Sequence, residues 1–261
     1  PDNTLIANTA HIYFDFNPAI VTNTTQSLMV YNLPQTGTGI TVQARILLAG
    51  GYDPATSLMN TTLRQNNQLP IAQPFNTAPW NYTGSEAVSN LAAIPANATD
   101  WVLIELRSAA NLDVVIAQRA VFLLNDGSLL DPDGTIGTHF PQVAQSGSYY
   151  VLVRPRNHVA LASAATLTYP NNYIDYTLTA NVNGGASQLT TVATNTGATK
   201  AADANANGSV TFTDYNVFVT QLPQLVGYLS ADFNLDGRIT TKDFDLYRSS
   251  AGAIGVTLVR Y

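Results

Sequence analysis

The chain has 261 residues, of which 46% are hydrophobic and only 11% are charged, with a net charge of -6 and no cysteine. This length is enough for two domains, each with its own core. The few Lys and Arg residues form no basic stripe for nucleic acid, and no apolar run is long enough to insert into a membrane. Without cysteine, disulfides, thiolate metal sites and cysteine nucleophiles are excluded.

Residues 1–31 are predicted to form a separate N-terminal strand segment. The strand-like stretch HIYFDF (11–16) places Ile12, Phe14 and Phe16 on one face, where burial is worth about 1.5–3 kcal/mol for each side chain. These side chains therefore need an apolar groove. Two alternatives are open: the segment belongs to an upstream domain, or it pairs with an exposed sheet edge, in this subunit or in the next. Strand addition between subunits would build a filament.

Residues 32–186 are predicted to form an antiparallel β-sandwich of the jelly-roll or immunoglobulin-like type. Short apolar or alternating stretches, separated by turn signals rich in Asn, Asp, Gly and Pro, indicate this fold class. The proline-rich segment 50–95 interrupts them and is predicted to be a long loop with one helical turn near TSLMNTTLRQ. The strand candidates are ITVQARILLAG (40–50), DWVLIELR (100–107), VVIAQRAVFLL (114–124), YYVLVRP (149–155) and YIDYTLTA (173–180).

Two aromatic residues in the long loop, Trp80 and Tyr82, have two open interpretations. An exposed pair would stack on a sugar ring and make the domain a polysaccharide binder. A buried pair would instead close one end of the sandwich and have only a packing role.

The C-terminal part of the chain contains an internal repeat. Residues 187–199, rich in small and polar residues, have the composition of an extended linker or a weak edge strand. They are predicted to be a linker to a small domain of residues 200–261. In that domain, DANANGSVTFTD (203–214) and DFNLDGRITTKD (232–243) align without a gap, offset by 29 residues. Each has glycine at loop position 6 and oxygen-bearing side chains at positions 1, 3, 5 and 12. This spacing suits calcium, so we predict two ions.

Each loop leads into a pattern of helical spacing, so each unit is predicted to be a calcium loop followed by a helix. With Asp at position 12 and no helix before the first loop, residues 200–252 resemble the dockerin family, whose duplicated loop–helix units carry this Asp-rich pattern. The resemblance implies a calcium-folded module. It assigns one ion to Asp203, Asn205, Asn207, Ser209 and Asp214, and the other to Asp232, Asn234, Asp236, Arg238 and Asp243.

Positions 10 and 11 of the loops bear on the partner that this resemblance implies. In cellulosomal dockerins a matched pair at these positions helps to bind a cohesin. Here the pairs are Phe212–Thr213 and Thr241–Lys242, so the two faces are not equivalent and cohesin binding is in doubt.

Two further resemblances indicate where the protein acts. The stretches PWNYTGSEAV (79–88), DWVLIELR and YYVLVRPRNHVALASA (149–164) resemble a sandwich module of large secreted bacterial surface proteins. Residues 8–25 resemble the closing strand of an immunoglobulin-like repeat from such proteins. The resemblances imply an extracellular or cell-surface location.

No pattern in the chain indicates an active site. The three histidines have no metal-binding spacing, and Glu105 alternates with Arg107, as in an ion pair. No nucleophile elbow or phosphate-binding loop is present.

We therefore predict a non-catalytic extracellular structural or adhesive protein, a filament subunit that self-associates or contacts neighbouring domains. The alternative is a carbohydrate-binding module tethered through a dockerin–cohesin interaction. A third possibility is an enzyme with an unrecognised carboxylate pair.

Overall fold

The computed structural model describes residues 4–12, 18, 20–29 and 38–256. The fold is mainly β, with several antiparallel sheets. The chain divides into two compact units, one of residues 1–36 and one of residues 37–261. None of the described helices is long and apolar enough to cross a membrane.

The described part of the first unit contains two antiparallel strand pairs, one nested within the other in the chain. Strand β1 pairs with β4 over five residues, and β2 pairs with β3, so that Ile12 lies opposite Ile20. The side chains of Thr9 and Thr24 are joined by a hydrogen bond of 2.6 Å. The strands are β1 (Thr4–Asn8), β2 (His11–Ile12), β3 (Ile20–Val21) and β4 (Thr25–Met29).

The second unit begins with the β region, defined here as residues 38–200. Its elements are β5 (Thr38–Arg45), β6 (Tyr52–Asp53), β7 (Leu58–Met59), α1 (Thr62–Gln65), β8 (Ala98–Ser108), β9 (Val115–Leu124), β10 (Leu129–Leu130), β11 (Thr138–Ala144), β12 (Ser148–Pro155), β13 (Leu161–Ala162), β14 (Leu167–Thr168), β15 (Tyr173–Asp175), β16 (Leu189–Ala193) and β17 (Thr196–Thr199). Short 3-10 helices occur at Leu91–Ala93, Thr179–Asn181 and Gly185–Gln188.

The largest sheet of the β region has the strand order β10-β9-β8-β12-β13, with β14 also paired to β12. All of these pairs are antiparallel. A three-stranded sheet, β11-β5-β15, contributes to the same core, and its β15 runs parallel to β5. Trp101 of β8 is fully buried and packs on Phe122 of β9, with the ring centroids 4.0 Å apart.

Three strand predictions are confirmed, because β8, β9 and β12 match the predicted stretches to within two residues at each end. The stretch 40–50 is confirmed only in its first part, since β5 ends at Arg45. The candidate at 173–180 is correct only for its first three residues. Asp175 ends that strand, since its carboxylate accepts hydrogen bonds from the backbone N–H and the hydroxyl of Thr177 at 2.9 and 2.6 Å. The predicted helical turn is present as α1.

Residues 187–199, predicted to be a linker, instead contain the β16–β17 hairpin. Thr199 ties this hairpin to the β region through backbone hydrogen bonds to Leu47 and Ala49 at 2.8 and 3.0 Å. The small residues are needed for close packing: a Cβ atom at Gly197 would overlap the side chain of Leu189. The hairpin is therefore an ordered part of the β region.

The rest of the second unit, residues 201–256, is called the loop–helix region. It contains helices α2 (Phe212–Gln221) and α3 (Thr241–Ser250) and a 3-10 helix at Leu222–Gln224. Each α-helix begins at position 10 of one of the two repeated loops, so the last three loop residues form its first turn. The two helices contact each other through aromatic rings. The ring centroid of Tyr215 of α2 lies 5.6 Å from that of Tyr247 and 6.1 Å from that of Phe244, both of α3.

Candidate calcium loops

The first loop closes around the carboxylate of Asp203. This carboxylate accepts backbone hydrogen bonds from Asn207 at 3.0 Å and Gly208 at 2.9 Å. At the other end, Asp214 accepts from the backbone of Asn205 at 3.2 Å. Gly208 has a φ of 84°, a left-handed conformation that glycine adopts without steric cost.

The second loop repeats this arrangement. Asp232 accepts backbone hydrogen bonds from Asp236 at 3.1 Å and Gly237 at 2.8 Å, and Asp243 accepts from the backbone of Asn234 at 3.1 Å. Gly237 has a φ of 80°. The two loops therefore share these three backbone hydrogen bonds at equivalent positions, as the spacing of the repeat suggests.

The aspartate at loop position 12 also starts the following helix. Asp214 accepts a backbone hydrogen bond from Thr211, and Asp243 accepts one from Thr240, both at 2.8 Å. The two threonines are the N-caps, so each helix begins with a capping box. Loop closure and helix initiation thus depend on the same carboxylate.

The carboxylates at positions 1 and 12 of both loops are buried. Asp203, Asp214, Asp232 and Asp243 are each at most 1% exposed. Burial raises the pKa of Asp203 to about 7 and that of Asp232 to about 7, although the positive charge of Arg156 partly opposes this rise at Asp232. Buried carboxylates are costly without a counter-charge, which a divalent cation would supply.

The donor chemistry of both loops fits calcium, because every expected ligand is an oxygen. Ser209 and Arg238, at position 7, would contribute backbone carbonyls. In the described part of the chain, no group of three or more His, Cys, Asp or Glu side chains is arranged to hold a metal ion. The first loop has only two carboxylates and could not form such a group, whereas the three carboxylates of the second loop, Asp232, Asp236 and Asp243, are not arranged as one. The two calcium sites stay a prediction.

Comparison with known proteins places a match only in the first unit. A family model described as a domain of unknown function (DUF7619) matches residues 1–28. No curated protein and no solved structure matches the chain. The match ends before β5, so it does not bear on the loops.

The residues predicted to mediate assembly lie in the matched segment. Ile12 is 44% exposed and pairs with Ile20 within its own chain. Phe14 and Phe16 lie outside the described residues. Their role in strand addition stays a prediction.

The aromatic pair proposed for glycan binding is packed into the β region. Tyr82 is 8% exposed, and its hydroxyl donates a hydrogen bond to Glu86 Oε1 at 2.6 Å. Trp80 is half-buried and meets Phe75 edge-on, with centroids 5.2 Å apart. The ring of Tyr82 is therefore largely covered, whereas Trp80 is partly exposed, and glycan binding by this pair stays a prediction.

Sequence reasoning did not anticipate how the second loop contacts the β region. Three side-chain amides of the β region, called here the amide triplet, donate to three backbone carbonyls of this loop. Nothing in the sequence distinguishes these amides from the many other Asn and Gln residues. The pairs are Asn60 to Asn234 at 2.7 Å, Gln68 to Gly237 at 3.1 Å and Asn157 to Asp232 at 2.6 Å.

The β region and the loop–helix region also each bury a side chain in the core of the other. Leu235, at position 4 of the second loop, is 0% exposed and belongs to the core cluster of the β region. In return, Val159 belongs to the cluster that includes Phe218 and Phe233. The sequence gives one sign of this contact: the second loop has a leucine at position 4, where the first loop has Ala206.

A buried ion pair within the β region also contacts the loop–helix region. The guanidinium of Arg156 donates to Asp100 Oδ2 at 3.1 and 3.3 Å and also to the carbonyl of Leu229. It lies 4.1 Å from the ring centroid of Tyr228, whose hydroxyl donates to the other oxygen of Asp100 at 2.6 Å. Although burial opposes its charge, Asp100 raises the pKa of Arg156 above its usual value.

Glu105 lies in a second buried network within the large sheet. It is 0% exposed and accepts from Arg107, from Arg154 Nη1 at 3.0 Å and from Gln118 at 2.7 Å. Burial pushes the pKa of Glu105 upward, but the charges of Arg154 and Arg107 outweigh burial and lower it. A carboxylate held ionised in this way is a structural partner and not a proton donor.

His158 is buried beside the second loop in its neutral form. Its Nε2 accepts from the backbone N–H of Gly50 at 3.2 Å, so Nδ1 donates to Asn157 Oδ1 at 2.9 Å. Burial, together with the charge of Arg156, lowers the pKa of His158 to about 3. Protonation of Nε2 would break the bond from Gly50.

This histidine is expected to make stability depend on pH. Because its pKa is about 6.5 when unfolded, the unfolded chain takes up a proton that the folded chain excludes. The contribution of neutral His158 to the free energy of unfolding is full above pH 6.5. It is lost as the pH falls from about 6.5 toward 3, by up to about 1.4 kcal/mol per pH unit.

Urea unfolding at pH 7 and pH 5 checks this expectation. The control is His158→Gln, whose amide can still accept from Gly50 but does not titrate. The decrease in the free energy of unfolding from pH 7 to pH 5 should be about 2 kcal/mol smaller in the variant than in the unaltered chain. Equal losses in both chains would contradict the assignment.

Proposed function

We propose that this is a non-catalytic extracellular structural or adhesive surface protein with two structural calcium sites. The observation that carries the proposal is the shared geometry of the two repeated loops. Each loop buries two carboxylates, Asp203 and Asp214 in the first and Asp232 and Asp243 in the second, whose negative charge a divalent cation would balance. An ion that satisfies these carboxylates would fold the loops and would serve no reaction.

The finer architecture is part of the same proposal. We assign the β region to a sandwich of jelly-roll or immunoglobulin-like type, since its two larger sheets contribute to one core. We assign the loop–helix region to a dockerin-like module. Its second loop contacts the β region of its own chain, which supports a structural use of the module over attachment to a cohesin.

The placement of polar groups supports a role without catalysis. Glu105 is engaged with two arginines, and His158 is neutral and fully buried. A general acid or base must reach a substrate and exchange a proton near neutral pH. Neither of these groups meets that requirement.

Calcium removal tests the proposal directly. In calcium at 100 times the dissociation constant, each site should add about 2.7 kcal/mol to the free energy of unfolding, so a chelator should lower the melting temperature. Equilibrium dialysis should find two ions per chain, and only one in Asp203→Ala or in Asp232→Ala. Asp113→Ala, an exposed aspartate outside the loops, should still bind two.

Absence of bound calcium in the unaltered chain would overturn the two sites. Light scattering of the calcium-loaded and chelated samples tests the structural role, because a filament subunit should form large oligomers. A monomer in both samples would contradict self-association.

A further inference from the structure

The two loops are held by different partners. In the first loop, the carbonyl of Gly208 accepts from the backbone N–H of Gly255 at 2.7 Å, within the loop–helix region itself. In the second loop, the carbonyl of Gly237 accepts from Gly227 at 3.2 Å but also from Gln68 of the β region at 3.1 Å. The second loop alone is therefore bound to the β region by the full amide triplet.

The amide triplet leaves the expected calcium ligands free. The carbonyls it holds belong to loop positions 1, 3 and 6, whereas the carbonyl expected to bind the ion is at position 7, on Arg238. Amides and ion therefore do not compete for the same oxygen. Both instead favour the same backbone conformation of the loop, which is the physical basis for coupling between them.

Leu235 makes this conformation necessary for docking. Its backbone is left-handed, with a φ of 60°, and its side chain enters the core of the β region. A loop that unwinds would withdraw the leucine from that core. The backbone of the second loop also packs closely on the β region, since a Cβ atom at Gly50 would overlap the carbonyl of Phe233.

We propose that the second loop is a calcium-dependent clasp on the β region. The inference rests on the proposed calcium sites and extends the second of them. The ion holds the loop in the conformation that inserts Leu235 and presents three carbonyls to the amide triplet. By reciprocity, the docked β region raises the calcium affinity of the second site.

The chain carries its own probe for this coupling. Both tryptophans, Trp80 and Trp101, lie in the β region, so tryptophan fluorescence reports the unfolding of that region. Urea unfolding of the full chain should show a midpoint that is about 1 M higher in calcium than in chelator. An independent loop–helix region would leave the tryptophan midpoint unchanged by calcium.

A variant isolates the amide contacts. In an Asp203→Ala background, which silences the first site, the double change Asn60→Ala and Gln68→Ala should lower calcium affinity about 5–10-fold. Both side chains are only partly buried, so the fold should tolerate their loss. Gln65→Ala, an exposed glutamine on α1, should leave the affinity unchanged.

The outcomes separate this inference from the function on which it rests. Two bound ions with the same tryptophan midpoint in calcium and chelator, or an unchanged affinity in the double variant, would overturn the clasp and leave the calcium sites intact. No calcium uptake by the unaltered chain would overturn both. A calcium-dependent midpoint with weakened binding in the double variant supports the clasp.

Discussion

Replacing Leu235 with alanine is expected to lower the free energy of unfolding by about 2–5 kcal/mol. The side chain is fully buried in the core of the β region, so its removal forfeits its burial energy and leaves a cavity. No expected calcium ligand is altered, and the result reproduces the first loop, which has Ala206 at this position. Urea unfolding in calcium measures the loss.

Leu225 provides a matched control for this change. Its backbone is also left-handed, with a φ of 57° against 60° for Leu235, but its side chain is 56% exposed. Leu225→Ala should therefore change stability by no more than about 0.5 kcal/mol. Any backbone effect of alanine is common to both variants. Equal losses in the two would show that Leu235 is not held in the core.

Replacing Arg156 with alanine is expected to cost about 3–5 kcal/mol, because Asp100 would stay buried with its charge uncompensated. Asp100 is 1% exposed, and its remaining donors, the hydroxyl of Tyr228 and the backbone of Trp101, are neutral. The change also removes the hydrogen bond to the carbonyl of Leu229 and so loosens the loop–helix region. Thermal or urea unfolding gives the magnitude.

Arg248 is the corresponding control at the surface. It faces Asp245 at 3.5 Å, with both side chains about two-thirds exposed. Arg248→Ala should cost no more than about 1 kcal/mol, because solvent screens the pair. A small effect of Arg156→Ala, similar to that of Arg248→Ala, would contradict the structural importance of the buried pair.

The secondary structure was predictable where side chains determine it locally. The strands β8, β9 and β12 combine branched and aromatic residues over long stretches, and each was found close to its predicted bounds. Strand β11 was missed because Pro141 interrupts its pattern, and such a proline is tolerated at an irregular position in a ladder. The β16–β17 hairpin was assigned to a linker because its small residues fit a linker as well as a weak edge strand.

The candidate site was predictable only in part, for the same reason. The loop carboxylates were found because their spacing is local and occurs twice. The partners of the second loop are distant in sequence: Asn60 and the carbonyl it holds are 174 residues apart. The burial of Tyr82 likewise involves a distant partner, since its hydroxyl also lies 3.2 Å from the carbonyl of Gln118, 36 residues away.

The exchange of Leu235 and Val159 between the two regions has an evolutionary consequence. A duplicated structural unit can be transferred between proteins by recombination only when none of its apolar side chains needs burial against the rest of the original protein. The first copy presents just the methyl group of Ala206 at this position, whereas the second, transplanted alone, would expose a leucine in a left-handed turn. We expect the second copy to be inherited together with the β region that receives its leucine, and the two copies to have ceased to be interchangeable.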